Sequence, residues 1–208
     1  DDIFFCAKNG SRLYVWFLSS DSDFTLLWFH GNAGNLSGQV DELGAMYRNL
    51  DLNILIVDYR GYGLSTGVPN IDNLHNDANT AFLYIKNYLR TNEYKGKTFI
   101  MGRSIGSASA FEIVNNHSKL IEGCIIDSGF ATEYPFLALM NIDVEKNNFS
   151  LEDGFMNLQK LKNYKGRLFI IHGDLDDIVP FSQAELMLLE SPSSDKEIYR
   201  VHGGNHNN

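Results

Sequence analysis

The 208-residue chain is 44% apolar and 21% charged, the make-up of one globular domain spanning residues 1–208 and large enough to bury a full core. Its formal net charge of −9 argues against nucleic acid and anionic lipid as partners, and no apolar run approaches the ~18 residues of a membrane span. Cys6 and Cys124 sit far apart in apolar stretches and are expected to be packed, reduced thiols, as in an intracellular protein. The chain opens on Asp1 and Asp2 without a secretory leader. A trimmed or processed segment is therefore expected, with any membrane association supplied by segments outside it.

Ile3 to Ala7 and Leu13 to Leu18 flank Lys8, Asn9, Gly10 and Ser11, and an Asn-Gly pair between apolar runs predicts an antiparallel hairpin. Thr25 to Phe29 is a continuous apolar run, the pattern of a strand covered on both faces. HGNAGN, His30 to Asn35, follows at its end. From Gln39 to Leu50 the apolar residues Val40, Leu43, Tyr47 and Leu50 recur at helical spacing. Asn53 to Val57 is a second buried strand closed by Asp58, and a helix from about Ile71 lines up Leu74, Ala78, Phe82, Ile85 and Leu89.

Thr98 to Met101, Ile121 to Ile126, Arg167 to Ile171 and Ile198 to Val201 read as further strands, and Phe181 to Leu189 as a helix. Strands alternating with helices predict an α/β domain, a mostly parallel sheet with helices on both faces. Only residues 128–165 break the rhythm, with Pro135, Asn147, Asn148 and a weakly helical Leu151 to Leu161. This is expected to form a small cap or insert that leaves any site beside it open. His75 and His117 read as surface residues of helices.

GRSIG, Gly102 to Gly106, lies between a strand and a helix. A G-x-S-x-G pattern in that setting is a nucleophile elbow, a strained turn that lifts the serine hydroxyl above the sheet edge, and glycines on either side make room for it. Ser104 is the candidate nucleophile. Gly63 to Gly67, GLSTG, matches the same letters around Ser65, but Pro69 and the surrounding glycines make that stretch a loop.

Ligands of open parallel sheets bind beyond the carboxyl ends of the strands. In that position the chain places HGNAGN, Ser104, the run His172 to Asp177, and Gly203 to His206. A serine needs a base to accept its proton, and His206, in a glycine-rich loop after the last strand, is the candidate; His202, at the strand end, is expected to be packed. Asp174, Asp176 and Asp177 share one loop, and their spacing does not separate them as the acid that orients the histidine. The oxyanion formed during acyl transfer needs backbone N–H donors. Ile105 supplies one, and Asn32, with Ala33 as the alternative, the other. His30 is expected to brace its loop, and Asp58 or Arg60 to order neighbouring turns. No spacing of His and Cys suggests a metal, and no glycine loop suggests a nucleotide cofactor.

FHGNAGN, DYRGYGLSTG, GRSIG, HGDLDDIVP and GGNHN occur in this order, and together they closely resemble the α/β-hydrolase-domain serine hydrolases of the serine aminopeptidase-like superfamily. The resemblance runs along nearly the whole chain and is most similar to the abhydrolase subgroup that includes protein depalmitoylases. It implies an α/β-hydrolase fold, no cofactor, and Asp176 as the acid, the fifth residue of the HGxxD turn. It also implies a serine hydrolase that cleaves acyl esters or thioesters of small molecules, lipids or proteins through an acyl-enzyme. Protein S-acyl thioesterase is the first expectation, with small-ester carboxylesterase, lipase or peptidase activity as alternatives and a non-catalytic binding protein as the rival from another class. Relatives of this kind continue beyond the histidine into a covering helix, and with the chain stopping at Asn208 that helix is expected to be missing.

Overall fold

The structure is a computed structural model that describes residues 1–208 apart from 9, 21, 33 and 34. Eight strands form one sheet: β1 (Asp2–Cys6), β2 (Arg12–Leu18), β3 (Phe24–Phe29), β4 (Asn53–Val57), β5 (Lys97–Arg103), β6 (Gly123–Asp127), β7 (Arg167–Gly173) and β8 (Lys196–Val201). Their order is β1-β2-β4-β3-β5-β6-β7-β8. β1 and β2 pair antiparallel, as do β2 and β4; every other pairing is parallel. Asn9, on which the Asn-Gly turn rests, lies outside the described residues, but the hairpin strands on either side of it pair Ile3 with Val15 and Phe5 with Leu13.

The helices are α1 (Val40–Leu50), α2 (Ile71–Thr91), α3 (Gly106–His117), α4 (Tyr134–Leu139), α5 (Asn157–Lys162) and α6 (Ser182–Glu190). Because successive strand side chains point to opposite faces, a run such as Leu26, Leu27, Trp28, Phe29 feeds two cores. Leu27 and Phe29 join Phe82, Ile85, Phe111, Val114, Leu161 and Met187, from α2, α3, α5 and α6. Leu26 and Trp28 join Leu43 of α1, with Ile54, Ile56 and Met101. That double coverage is why the strand reads as unbroken apolar sequence rather than as an alternation. The side chain of Val40 lies outside the described residues.

Pro135, in the segment that breaks the rhythm of strands and helices, stands in the first turn of α4, where the missing N–H costs nothing because that group has no intrahelical partner. Two expectations need correction. Cys6 is exposed, since β1 is an edge strand and Cys6 is on its open face, whereas Cys124 is buried. His75 and His117 are half-buried rather than surface residues: His117 stacks on Phe82 with ring centroids 5.0 Å apart, and His75 belongs to a polar network between three helices.

In that network the Lys160 ammonium donates to His75 Nε2 at 2.9 Å and pairs with Glu112 at 2.7 Å. Glu112 also accepts from Asn79 and Asn116, so α2, α3 and α5 are tied by partly buried hydrogen bonds to charged groups. Burial first, and the Lys160 charge second, push His75 from its ordinary 6.5 down to about 4. Between those two values the unfolded chain binds a proton that the folded chain refuses, so stability falls as pH falls. Urea unfolding midpoints are therefore expected to drop from pH 6.5 towards pH 4, and His75→Gln, which can still accept from Lys160, to flatten the drop relative to wild type.

Candidate active site

β5 ends in the GRSIG turn, and there the backbone makes its sharpest demand. Ser104 has φ 51°, in the left-handed region that costs a residue with a Cβ about 1 kcal/mol or more. Its N–H donates to the Asp127 carbonyl at 2.9 Å, and its own carbonyl accepts from Ser107 Nα at 3.0 Å and Ser107 Oγ at 2.7 Å. The flanking glycines are a matter of space. A Cβ on Gly102 would run into the Gly106 carbonyl and lie 2.8 Å from Ser107 Cα, and one on Gly106 would run into the Phe29 carbonyl and lie 2.8 Å from that of His30. Ser65, which carries the same letters, is buried away from this turn, accepting from Tyr14 N–H and donating to the Asp58 carbonyl.

Three strand ends converge on Ser104. His206 Nε2 lies 3.0 Å from Ser104 Oγ, and His206 Nδ1 lies 2.8 Å from Asp176 Oδ2. A carboxylate only accepts, so Nδ1 carries the hydrogen and Nε2 is left to accept from the serine. Asp176 Oδ1 accepts from the backbone N–H groups of Ile178 (3.0 Å) and Val179 (2.7 Å). Burial alone would raise Asp176, but the His172 and His206 rings and the Val179 N–H outweigh it and hold the carboxyl well below the usual carboxylate range. Asp177 is exposed. Asp174 faces outward, accepting from Gly203 N–H at 2.8 Å and pairing with His202 at 3.0 Å. His202, expected to be packed, is in fact 83% exposed in its side chain, because it follows β8, the other edge strand.

The loop after β3 closes over the elbow. A Cβ on Gly31 would lie 3.7 Å from Ser104 Cβ, and Asn32 lines the same cleft as Ser104. Ala33 lies outside the described residues. Ile105 stands at the N-terminal end of α3, where helix N–H groups have no intrahelical partners and favour negative charge. The loop after β4 braces this one: Leu36 N–H donates to Asp58 Oδ1 at 3.0 Å and the Tyr62 hydroxyl to Asn32 Oδ1 at 2.6 Å. His30 is fully buried, its Nδ1 2.7 Å from the Gly31 carbonyl and its Nε2 3.5 Å from Asp58. Arg60 makes a two-pronged pair with Asp77 of α2, at 2.9 and 2.6 Å.

The cleft has a volume of about 420 Å³, and its lining includes the apolar Phe136 and Ile178 and the polar Asn32, Gln39 and Arg103. Phe136 comes from α4, which the sequence does not announce, and Ile178 from the turn that carries Asp176. A larger hollow of about 720 Å³ lies at the opposite ends of the strands, beside Thr25, Lys86 and Thr98, and holds none of these groups. Among the described residues no cluster of His, Cys, Asp and Glu suits a metal ion, and no helix is long and apolar enough to cross a membrane.

A mostly parallel eight-stranded sheet with an antiparallel start, helices on both faces and this elbow defines an α/β hydrolase. The serine aminopeptidase, S33, family matches residues 20–140, and the chain belongs to that family. It is 26% identical over 214 residues to the uncharacterized protein YfhR of Escherichia coli K12, covering 99% of this chain and 73% of YfhR. It is 29% identical over 204 residues to human alpha/beta hydrolase domain-containing protein 17B, covering 96% of this chain and 67% of that one. In three dimensions it is similar to the Pyrococcus furiosus esterase Pf2001, with a TM-score of 0.80 at 18% identity over 100% of this chain and 84% of the esterase.

The crowding at the elbow gives a direct test. Gly106→Ala is expected to cost about 3 kcal/mol or more in urea unfolding, as overpacking against rigid backbone does. Gly38→Ala, where an added Cβ meets nothing within 4 Å, should change stability by less than about 0.5 kcal/mol.

Proposed function

We propose that the protein hydrolyses acyl esters or thioesters through an acyl-enzyme on Ser104, with His206 as base and then acid and Asp176 holding the histidine. The observation that carries this reading is the unbroken hydrogen-bonded line from Ser104 Oγ through His206 to Asp176. As Ser104 attacks the carbonyl carbon, Nε2 of His206 takes its proton, and the buried carboxylate steadies the imidazolium. The oxyanion of the tetrahedral intermediate is received by the backbone N–H groups of Ile105 and Asn32. Collapse of the intermediate returns the proton to the leaving alcohol or thiol. Water then enters, gives a proton to His206, and releases the acid.

The cleft walls suit this substrate class. Phe136 and Ile178 offer apolar surface for an acyl chain, while Asn32, Gln39 and Arg103 offer polar groups for the carbonyl and leaving group. Residues 128–165 contribute two short α-helices, α4 and α5, of six residues each, consistent with a large substrate such as an S-acylated protein, whose cysteine thiol would be the leaving group. Ester against thioester, and the chain length accepted, are read out by turnover on a matched series of acyl substrates.

Fluorophosphonate, which labels activated serines, is expected to label the wild type and Ser65→Ala but not Ser104→Ala. Loss of labelling in Ser65→Ala with retention in Ser104→Ala would move the nucleophile, and an unlabelled wild type would overturn the acyl-enzyme reading. Asp176→Asn should lower turnover on the order of 10⁴-fold, the effect of that substitution in a well-studied protease. Asp177→Asn, on an exposed side chain, should leave turnover within about twofold of wild type.

A further inference from the structure

One side chain touching Asp176 has no part in the mechanism above. His172, near the end of β7, is fully buried and does not line the cleft. Its Nε2 lies 2.7 Å from the Val179 carbonyl and 3.3 Å from Asp176 Oδ2. Both neighbours are acceptors, so Nε2 must carry a hydrogen. Its Nδ1 is buried and has no hydrogen-bond partner among the described residues, so a hydrogen there would be an N–H buried without an acceptor.

We infer that His172 is a positioning residue for acyl transfer: its single Nε2–H is shared between the Val179 carbonyl and Asp176 Oδ2, and so governs how firmly that carboxylate grips His206. This inference rests on the acyl-enzyme reading above.

The hydrogen bonds at Asp176 explain why one more donor matters. Oδ1 is occupied by the Ile178 and Val179 N–H groups, which leaves Oδ2 for the two histidines, His206 at 2.8 Å and His172 at 3.3 Å. The His172 N–H also closes the turn from Asp176 to Val179 at its far end, so it fixes the carboxylate's direction as well as its charge. Phe181 meets the ring edge-on, with centroids 5.9 Å apart, which restrains its rotation.

The other charged groups facing this cluster lie at the ends of β5 and β6. Arg103 Nη2 donates to the His206 carbonyl at 3.3 Å, and Arg103 Nε is 3.7 Å from Asp127 Oδ2. Burial raises Asp127 against the opposing pull of Arg103 and the Ser128 hydroxyl. The pair of Asp174, on the loop of Asp176, and His202, on the loop of His206, sits outside the cluster. Among the described residues, the side-chain donors on the Asp176 carboxylate are therefore His206 and His172.

The test compares wild type with His172→Leu, which removes the donor, and His172→Gln, whose amide N–H can reach about where Nε2 stands. Active sites are counted by fluorophosphonate so that folded fractions are compared. His172→Leu is expected to lower kcat about tenfold, the effect of losing one hydrogen bond, with KM within about twofold. His172→Gln should restore kcat. A folded, labelled Leu variant with wild-type kcat, or a Gln variant as impaired as Leu, would reduce His172 to packing. Should the Leu variant not fold, ¹⁵N NMR of the wild-type ring decides: a hydrogen on Nε2 with Nδ1 bare supports the assignment, and a ring with its hydrogen on Nδ1 overturns it. An unlabelled wild type would sink the acyl-enzyme reading separately, since the NMR signal does not depend on turnover.

Discussion

At residue 104 a serine with a Cβ is held at φ 51°, between two glycines whose missing side chains are the only reason β5 can turn into α3 so abruptly. The strain is local, but the packing that enforces it is not. Gly106 abuts the Phe29 and His30 carbonyls at the end of β3, and Ser104 N–H is anchored on the Asp127 carbonyl of β6. The two neighbouring parallel strands thus clamp the turn from either side. A core dense enough to resist relaxation keeps the serine lifted above the sheet edge.

What the sheet then does is collect. Parallel strands all present their carboxyl ends at one edge, so the groups that follow β3, β5, β7 and β8 meet there although they come from residues 30 to 206. Each arriving loop is held by a different means. Asp58 and Tyr62, from the loop after β4, fix the loop after β3 by two hydrogen bonds. The loop carrying Asp176 is fixed by its own backbone donors and by the buried His172. The loop carrying His206 is tied to the elbow through Arg103. Polar groups are buried here at a cost that is offset only because nearly every one has a partner.

Much of this frame is legible in the amino-acid sequence. The unbroken apolar runs at Thr25 to Phe29 and Asn53 to Val57 announce strands covered on both faces, and the helix beginning at Ile71 starts where its side-chain spacing places it. The preference for Ser104 over Ser65 also rests on context, because an elbow requires a strand before it and a helix after it. Harder to read is the segment after β6. Pro135 serves as a helix starter in one setting and a helix breaker in another, and only the fold shows that Phe136 behind it faces the cleft. His75 reads as a surface residue because Lys160, its hydrogen-bond donor, lies 85 positions away.

The sequence by itself therefore determined the order of the strands, the sheet's parallel character and the short list of reactive groups at its edge, since these depend on local spacing and on burial pattern. Spacing left three aspartates open in one loop, and only the tertiary structure showed Asp176 turned inward to His206, His172 lying 3.3 Å from the same carboxylate oxygen, and which residues line the cleft. Those choices depend on side-chain direction at loop ends and on distances between residues far apart in the chain. Neither quantity leaves a periodic trace in sequence.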